Sequence, residues 1–312
     1  MPADPGPSPC ASVVIPVLDG AADLPRLLAA LASQDEALEV IAIDSGSRDG
    51  SASLIERAGV RLLRVAPGQF DHGETRNLGA REARAEHVLF LSQDALPADP
   101  SYARVMREAL ERDPRLAGVF ARQVPRPGAD PLTRRDLAAW VAGSATPRTV
   151  FVEAGPALAT LSPLERHRLT AFDNVASAVR RNVLLQHPFR ATRFGEDIEW
   201  GPRVLGLGLG IGYVPEAVVI HSHTRAARAL FRRNYLCHRA LHRLFGLRTI
   251  PDRPHLGRAL LGALVSDLQT LARGAGTPRQ WLAAPLQAAA STYGQYRGAR
   301  DEAAGRPYPG WA

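Results

Sequence analysis

Three carboxylates stand at, or just past, the ends of apolar runs, and an acidic pair follows a glycine much later in the chain. Asp19 lies in Ile15-Pro16-Val17-Leu18-Asp19-Gly20, and Asp44 ends an apolar run and opens Asp44-Ser45-Gly46-Ser47-Arg48-Asp49-Gly50. Asp94 closes Leu91-Ser92-Gln93-Asp94, and Gly195-Glu196-Asp197 comes later. A carboxylate at the carboxyl end of a parallel strand sits where open α/β sheets bind their ligands. One such residue says little. Three at successive strand ends, with a separate acidic pair, point to a nucleotide and metal site with a base opposite it.

The segments that must position these groups alternate in kind. Ser12 to Val17, Leu38 to Ile43, Val60 to Val65 and His87 to Leu91 read as strands, separated by helical spacing over Ala22 to Ser33, Ser51 to Ala58 and Glu74 to Ala85. That order predicts βαβ units and a mostly parallel sheet. A helix within Pro97 to Arg112 and a strand at Leu116 to Gln123 continue it. From Pro125 to Thr170 the period fails in a stretch rich in Pro, Arg and Thr, which reads as a long variable excursion. Order returns at Phe172 to Arg181, in a helix over Phe194 to Leu205, and in a last strand at Val218 to His221. The Gly206-x-Gly208-x-Gly210-x-Gly212 series lacks dinucleotide-fingerprint spacing and reads as a close-packed turn into that strand.

Beyond Thr224 the character is helical. Arg225, Arg228, Arg232, Arg239 and Arg243 fall on one face, and Leu230, Cys237, Leu241, Leu244 and Phe245 on the other. Two further helices are expected at Leu256 to Gly274 and Thr277 to Arg300. The resulting division is a flexible start, 1–10, an α/β domain, 11–224, with halves 11–123 and 124–224, and a helical extension, 225–312.

With 312 residues, 46% of them hydrophobic, the chain can bury a sizeable core. Two cysteines, Cys10 and Cys237, make neither a disulfide framework nor a zinc cluster. Met1 to Pro9 lacks the pattern of a signal peptide, and no segment approaches the roughly 18 to 20 apolar residues of a spanning helix. A cytoplasmic protein is expected. The net charge of +7 is carried by arginine alone, because the sequence has no lysine. Phosphate-bearing substrates and anionic lipid fit such a surface. Nucleic acid is not expected as a partner, because the basic helix lacks interleaved aromatics and any recognised module.

Seven segments in order resemble the family 2 glycosyltransferases of GT-A fold, in their rhamnosyltransferase-like branch. They are Val13 to Gly20, Ile43 to Ser51, Phe70-Asp71-His72-Gly73-Glu74-Thr75-Arg76-Asn77-Leu78-Gly79, Leu89 to Ala95, Asn174 to Arg181, Phe194 to Trp200 and Pro215 to His223. The resemblance covers roughly residues 12 to 235. It implies a single Rossmann-like α/β domain and an inverting sugar transfer from a nucleoside diphosphate. Such a reaction needs a grip on the base, a counter-charge for the diphosphate and a base for the acceptor hydroxyl.

The resemblance assigns Asp44 and Arg76 to nucleotide recognition, Pro16, Val17, Asp19 and Gly46 to loops wrapping the nucleoside, and Asn77 and Gln93 to the same region. It places Arg180, with Arg181, beside the donor sugar. Turn and N-cap chemistry is the plainer reading of Asp44 and Asp49. Asp94 stands where the family has an Asp-x-Asp pair, but Ser92-Gln93-Asp94-Ala95 offers one carboxylate. One Asp and an imidazole suffice for Mg2+ or Mn2+ against a diphosphate, which makes His221, with His223 on the same strand face, the expected partners. The family makes Asp197 the general base and leaves Glu196 to position it; acids also suit any first helical turn.

No Gln-x-x-Arg-Trp segment follows Asp197, so one sugar per encounter is expected. The favoured donor is dTDP-rhamnose and the acceptor a glycan or a lipid-linked hydroxyl; a UDP- or GDP-hexose donor, or a silent sugar-nucleotide binder, is the alternative. The helix Arg225 to Arg248, with seven arginines and no acid, is either a solvated face or a contact with anionic membrane at the inner face of the cell. Arg232 and Arg233 are also placed to reach the diphosphate from behind His221.

Overall fold

The computed structural model describes residues 9–66, 68–152, 158, 160–223 and 225–311. Most of the start expected to be flexible, and the boundary at Thr224, lie outside the described residues. The first half alternates strictly: β1 (Ala11–Val17), α1 (Leu24–Ala32), β2 (Leu38–Asp44), α2 (Ser51–Arg57), β3 (Arg61–Arg64), α3 (His72–Glu82) and β4 (His87–Leu91). A two-residue β5 (Leu96–Pro97), α4 (Tyr102–Glu111) and β6 (Leu116–Val124) follow. Then come α5 (Pro131–Ala138), β7 (Arg148–Phe151), α6 (Pro163–Leu169), β8 (Ala176–Arg180), α7 (Arg181–Gln186), α8 (Glu196–Gly206) and β9 (Gly210–Ile220). The chain closes with α9 (Ala227–Phe245), α10 (Arg253–Arg273) and α11 (Pro278–Ala303).

The strands form one sheet in the order β3-β2-β1-β4-β8-β6-β9-β5, with β7 also paired to β9. β3, β2, β1 and β4 are mutually parallel, and β6 is parallel to β9. Between these blocks β8 runs antiparallel to both β4 and β6. The carboxyl ends of β1, β2, β4, β6 and β9 and the start of β8 therefore share one edge of the sheet.

Both faces of the central strands are covered, which is why they read as unbroken apolar runs. Along β1, Val13 and Ile15 enter the layer with Leu24, Leu27, Ile55, Tyr102 and Met106; Val14 enters the opposite layer with Phe90, Phe120, Phe172 and Trp200. On that second face α3 lies so close to β1 that a Cβ at Gly79 would stand 2.3 Å from Val14 Cγ1. Asp71 starts α3 by accepting hydrogen bonds from the Gly73 and Glu74 N–H groups.

The stretch read as an excursion contains short elements. Asp130 caps α5, a Ser162–Glu165 capping box opens α6, and β7 pairs antiparallel with β9. Gly210 and Gly212 lie in β9 and not in a turn, and the Phe151 ring of β7 lies where a Cβ on Gly210 would be.

The helical extension corrects one expectation. Of the five arginines expected on one face, Arg228 is exposed and the other four are engaged by the body of the protein. α11 lies against α9 at backbone distance, since Cβ atoms at Gly294 and Gly298 would meet the Phe231 and Tyr235 carbonyls at 2.7 and 2.2 Å. Arg239 is buried, donating to Glu302 Oε2 at 2.7 Å and to the Arg306 carbonyl at 2.6 Å, with its guanidinium 3.8 Å from the centre of the Tyr308 ring. Arg225 pairs with Asp136, Arg232 donates to the Trp311 carbonyl, and Arg243 donates to the hydroxyls of Tyr308 and Thr192. These contacts fasten the carboxyl-terminal segment to the body and leave little of the helix for a membrane.

Candidate active site

The first two strand-end loops are stitched together by their own polar groups. Asp19 Oδ1 accepts from the Arg48 N–H at 2.8 Å, while the Asp19 N–H donates to Ser47 Oγ at 2.9 Å. Asp49 Oδ2 accepts from the Ala21 N–H at 2.8 Å. Asp44 is buried at the end of β2 and accepts from the Gly46 and Ser47 N–H groups at 3.1 and 3.3 Å, with Gly46 at φ 96°. Its turn chemistry is thus real, and a carboxylate holding two such bonds retains further lone pairs. Gln93 clamps the first loop from the third strand end: its Oε1 accepts from the Leu18 N–H at 2.8 Å and its Nε2 donates to the Leu18 carbonyl at 2.9 Å.

Asp94, His221 and His223 converge, with one ligand atom from each within 4.8 Å of the others. His221 Nε2 stands 3.4 Å from Asp94 Oδ2, buried and without a hydrogen-bond partner. On the other side of the ring, Nδ1 lies 3.0 Å from Gln123 Oε1, and Gln123 Nε2 donates to Asp173 Oδ2 at 2.9 Å. Because Asp173 accepts, the network assigns a proton to His221 Nδ1 and turns Nε2 toward the Asp94 carboxylate. A cation between them would be held by both atoms. One carboxylate oxygen and two imidazole nitrogens suit Mn2+ or Mg2+ carrying waters and phosphate oxygens, so the residues fit such an ion. Burial works to raise the Asp94 pKa, but His221 beside it, then His223 and Arg126, hold it down at about 2. His223 reaches solvent at its outer edge; loss of hydration, then the charges of Arg233 and His221, push its pKa down to about 3, so the ring is neutral.

Glu196 and Asp197 open α8 behind Gly195, whose φ of 80° is the left-handed conformation that glycine adopts without strain. Their fates differ. Glu196 is buried, with Oε1 2.9 Å from Arg76 Nη1 and accepting from Asn174 Nδ2 at 3.1 Å. Burial works against its charge, yet Arg76, His72 and Asn174 hold its pKa below the ordinary value. Among the described residues Asp197 receives backbone donors alone, the Asn174 N–H at 3.0 Å and the Ile198 N–H at 2.8 Å. Burial first, then the charges of Glu196 and Asp173, push its pKa up to about 8. It is a carboxylate poised to take a proton near neutral pH.

Four residues expected at the nucleotide are used otherwise. Val17 is a core side chain, and its carbonyl accepts from the Ser45 N–H. Asn77 is buried and exchanges hydrogen bonds with the Phe189 backbone, 2.8 Å to its carbonyl and 3.0 Å from its N–H. Arg76 is spent on Glu196. Arg180 lies at the far edge of the sheet, opposite His87, and donates to the Leu116 and Leu110 carbonyls; Arg181 donates to the Ala80 carbonyl. The sequence reading missed Gln123 and Asp173. The strand-end rule that found Asp44 also points to Gln123, whereas Asp173 precedes a strand too short to be noticed.

Four outcomes are expected. Because Asp197 must be ionised to accept a proton, kcat/KM rises with pH and levels off above about 8, and a flat profile from pH 6 to 9 contradicts the assignment. Between the ordinary carboxylate pKa and about 8 only the folded state holds this proton, so the group costs stability as pH rises. Thermal melts of Asp197→Asn should therefore gain on wild type between pH 5 and 9. Arg76→Ala leaves Glu196 buried and unpaired and should lose about 3–5 kcal/mol in denaturant titrations. Gln123→Leu frees the His221 ring and should weaken Mn2+ binding, read by electron paramagnetic resonance, about 10- to 100-fold.

Residues 12–162, which hold the first three strand ends, match the family described as Glycosyl transferase family 2. The chain is similar to the O-antigen chain rhamnosyltransferase RfbN of Salmonella typhimurium, 28% identical over 231 residues, covering 72% of this chain and 70% of that protein. It is also similar to the O-antigen chain rhamnosyltransferase WbaN of Salmonella anatum, at 25% over 201 residues, 63% of this chain and 60% of that one. Among solved structures, a mannosyltransferase of Pyrobaculum calidifontis in complex with GDP-Man and Mn2+ superposes with a TM-score of 0.60 at 18% identity, over 97% of this chain and 90% of its own. Glucosyl-3-phosphoglycerate synthase of Mycobacterium tuberculosis does so with a TM-score of 0.54 at 21% identity, over 78% and 81%. The family match over residues 12–162, the relatives and the shared architecture agree with the site: the chain is similar to the family 2 glycosyltransferases and has a GT-A fold.

Proposed function

We propose that the protein transfers one rhamnosyl residue from dTDP-rhamnose to a hydroxyl of a glycan or lipid-linked acceptor, with inversion, in a metal-dependent single displacement. The observation that carries the chemistry is the division of labour in the acidic pair. Arg76 and Asn174 engage Glu196, so the pair offers one proton acceptor, Asp197, and not a second carboxylate for a covalent intermediate. The donor assignment rests on the two rhamnosyltransferase relatives.

In this reading the loops at Pro16, Asp19, Asp44 and Gly46 hold the nucleoside, with Gln93 keeping the first loop in place. Asp94, His221 and His223 hold Mg2+ or Mn2+, which supplies positive charge to the departing diphosphate. Arg233 on α9 adds a cation there; its charge is felt at His223 and it feels the carboxylates of Asp173 and Asp94. Asp197 takes the acceptor proton as the hydroxyl attacks the anomeric carbon from the face opposite the nucleotide, and Glu196 positions it.

The test is release of nucleoside diphosphate from dTDP-rhamnose, UDP-glucose and GDP-mannose, with and without Mn2+. Metal-stimulated release of dTDP is expected, falling about 10²- to 10⁴-fold in Asp197→Asn while calorimetry shows dTDP still bound. Preferential turnover of the UDP- or GDP-sugar would overturn the donor, and full activity of the Asn variant would overturn the base.

A further inference from the structure

Exposed apolar side chains concentrate on the two helices that follow α9. Leu261 on α10 is 65% exposed, and Leu282 and Leu286 on α11 are 83% and 66% exposed; Val265 and Trp281 stand out beside them. The same spacing occurs in both helices: Arg258, Leu261, Val265 and Arg279, Leu282, Leu286. Steps of three and four residues put each trio on one helical face. That face lies away from the side buried against the body, which carries Asp267 and Leu271 on α10 and Ala284 and Ala288 on α11.

The unpaired charge on this hairpin has one sign. From Arg253 to Arg300 there are six arginines and a single acid, Asp267, which is buried and paired with Arg135 at 2.7 Å; the two acids at the end of α11 are held by arginines, Asp301 by Arg297 and Arg306 and Glu302 by Arg239. Asp252, just outside α10 and near Arg258, caps the helix by accepting from the His255 N–H. A two-fold contact between copies lays a patch on itself, which would set arginine against arginine. An anionic bilayer surface complements both features, taking leucine and tryptophan side chains at the acyl boundary and guanidinium groups at the phosphates. Among the described residues no helix is long and apolar enough to cross a membrane, so the contact is with one face of the bilayer.

We propose that α10 and α11, and not the arginine-rich α9, dock the protein on anionic phospholipid. The proposal stands apart from the transferase reading, because vesicle binding requires no turnover. The test is flotation of the full chain with phosphatidylcholine vesicles and with phosphatidylcholine–phosphatidylglycerol vesicles, at low and at physiological salt. Binding to the anionic vesicles alone is expected. It should fall about tenfold or more in Leu282→Glu/Leu286→Glu and in Arg258→Ala/Arg279→Ala, and stay unchanged in Arg26→Ala/Arg57→Ala, which removes the same charge from α1 and α2. All of these side chains are exposed, and circular dichroism checks that each variant folds. Quenching of Trp281 fluorescence by brominated lipid, lost in Trp281→Phe, is the second expected readout. Absence of binding to anionic vesicles at low salt, or equal loss in the control pair, overturns the proposal. So does a solution dimer that Leu282→Glu disperses, which would give the patch to a second copy.

Discussion

The ion pair between Arg76 and Glu196 decides what the site can do. Two adjacent carboxyls at the start of α8 cannot both be ionised cheaply in a dehydrated cleft. A guanidinium rising from α3 settles which of them is. It takes Glu196, with Asn174 Nδ2 as a second donor, and leaves Asp197 with backbone N–H groups and a neighbouring negative charge. The same charge that is stabilised at Glu196 therefore raises the basicity of Asp197. This is an electrostatic division of roles between two residues that the sequence presents as equals.

A second constraint couples the proposed base to the proposed metal ligands. Because β8 is inserted antiparallel between β4 and β6, its first residues and their approach, Asp173 and Asn174, arrive at the edge where the neighbouring strands end. Asp173 fixes Gln123 and, through it, the His221 tautomer, and also accepts from Trp140 Nε1 at 3.0 Å. Asn174 presents its N–H to Asp197. One short segment thus orients the His221 imidazole and holds the Asp197 carboxyl, so the separation of the proposed metal site and the proposed base is set by the sheet and not by a mobile loop.

The alternating half of the fold was legible because β1, β2 and β4 are buried on both faces and α1 between the first two is amphipathic. The strand-end carboxylates followed from that alternation. β8 was not legible as a strand: its five residues give too short a pattern, and nothing local reveals its direction. Direction is what misplaced Arg180. On an antiparallel strand a carboxyl-terminal residue falls at the edge away from the ligands, where Arg180 satisfies backbone carbonyls. Asn77 failed for a related reason, since motif spacing does not tell which side of α3 faces the Phe189 backbone. The convergence of Asp94, His221 and His223, and the place of Asp197 at the start of α8, were legible because each sits beside a strand end or a helix start, positions that depend least on packing.

The helical extension shows where the reading of charge from sequence stops. A run of arginines on a helix face has the same pattern whether it meets solvent, lipid or protein. The deciding groups lie far along the chain: Glu302 and the Arg306 and Pro307 carbonyls for Arg239, and Asp136 for Arg225. Those acceptors turn the α9 arginines into internal fasteners. On α10 and α11 the balance is reversed, because the acids Asp267, Asp301 and Glu302 are already held by Arg135, Arg297, Arg306 and Arg239, and the apolar residues beside Arg258 and Arg279 are exposed. What distinguishes a structural arginine from an interfacial one here is the supply of acceptors around it, and the arginine count of the helix carries no such information.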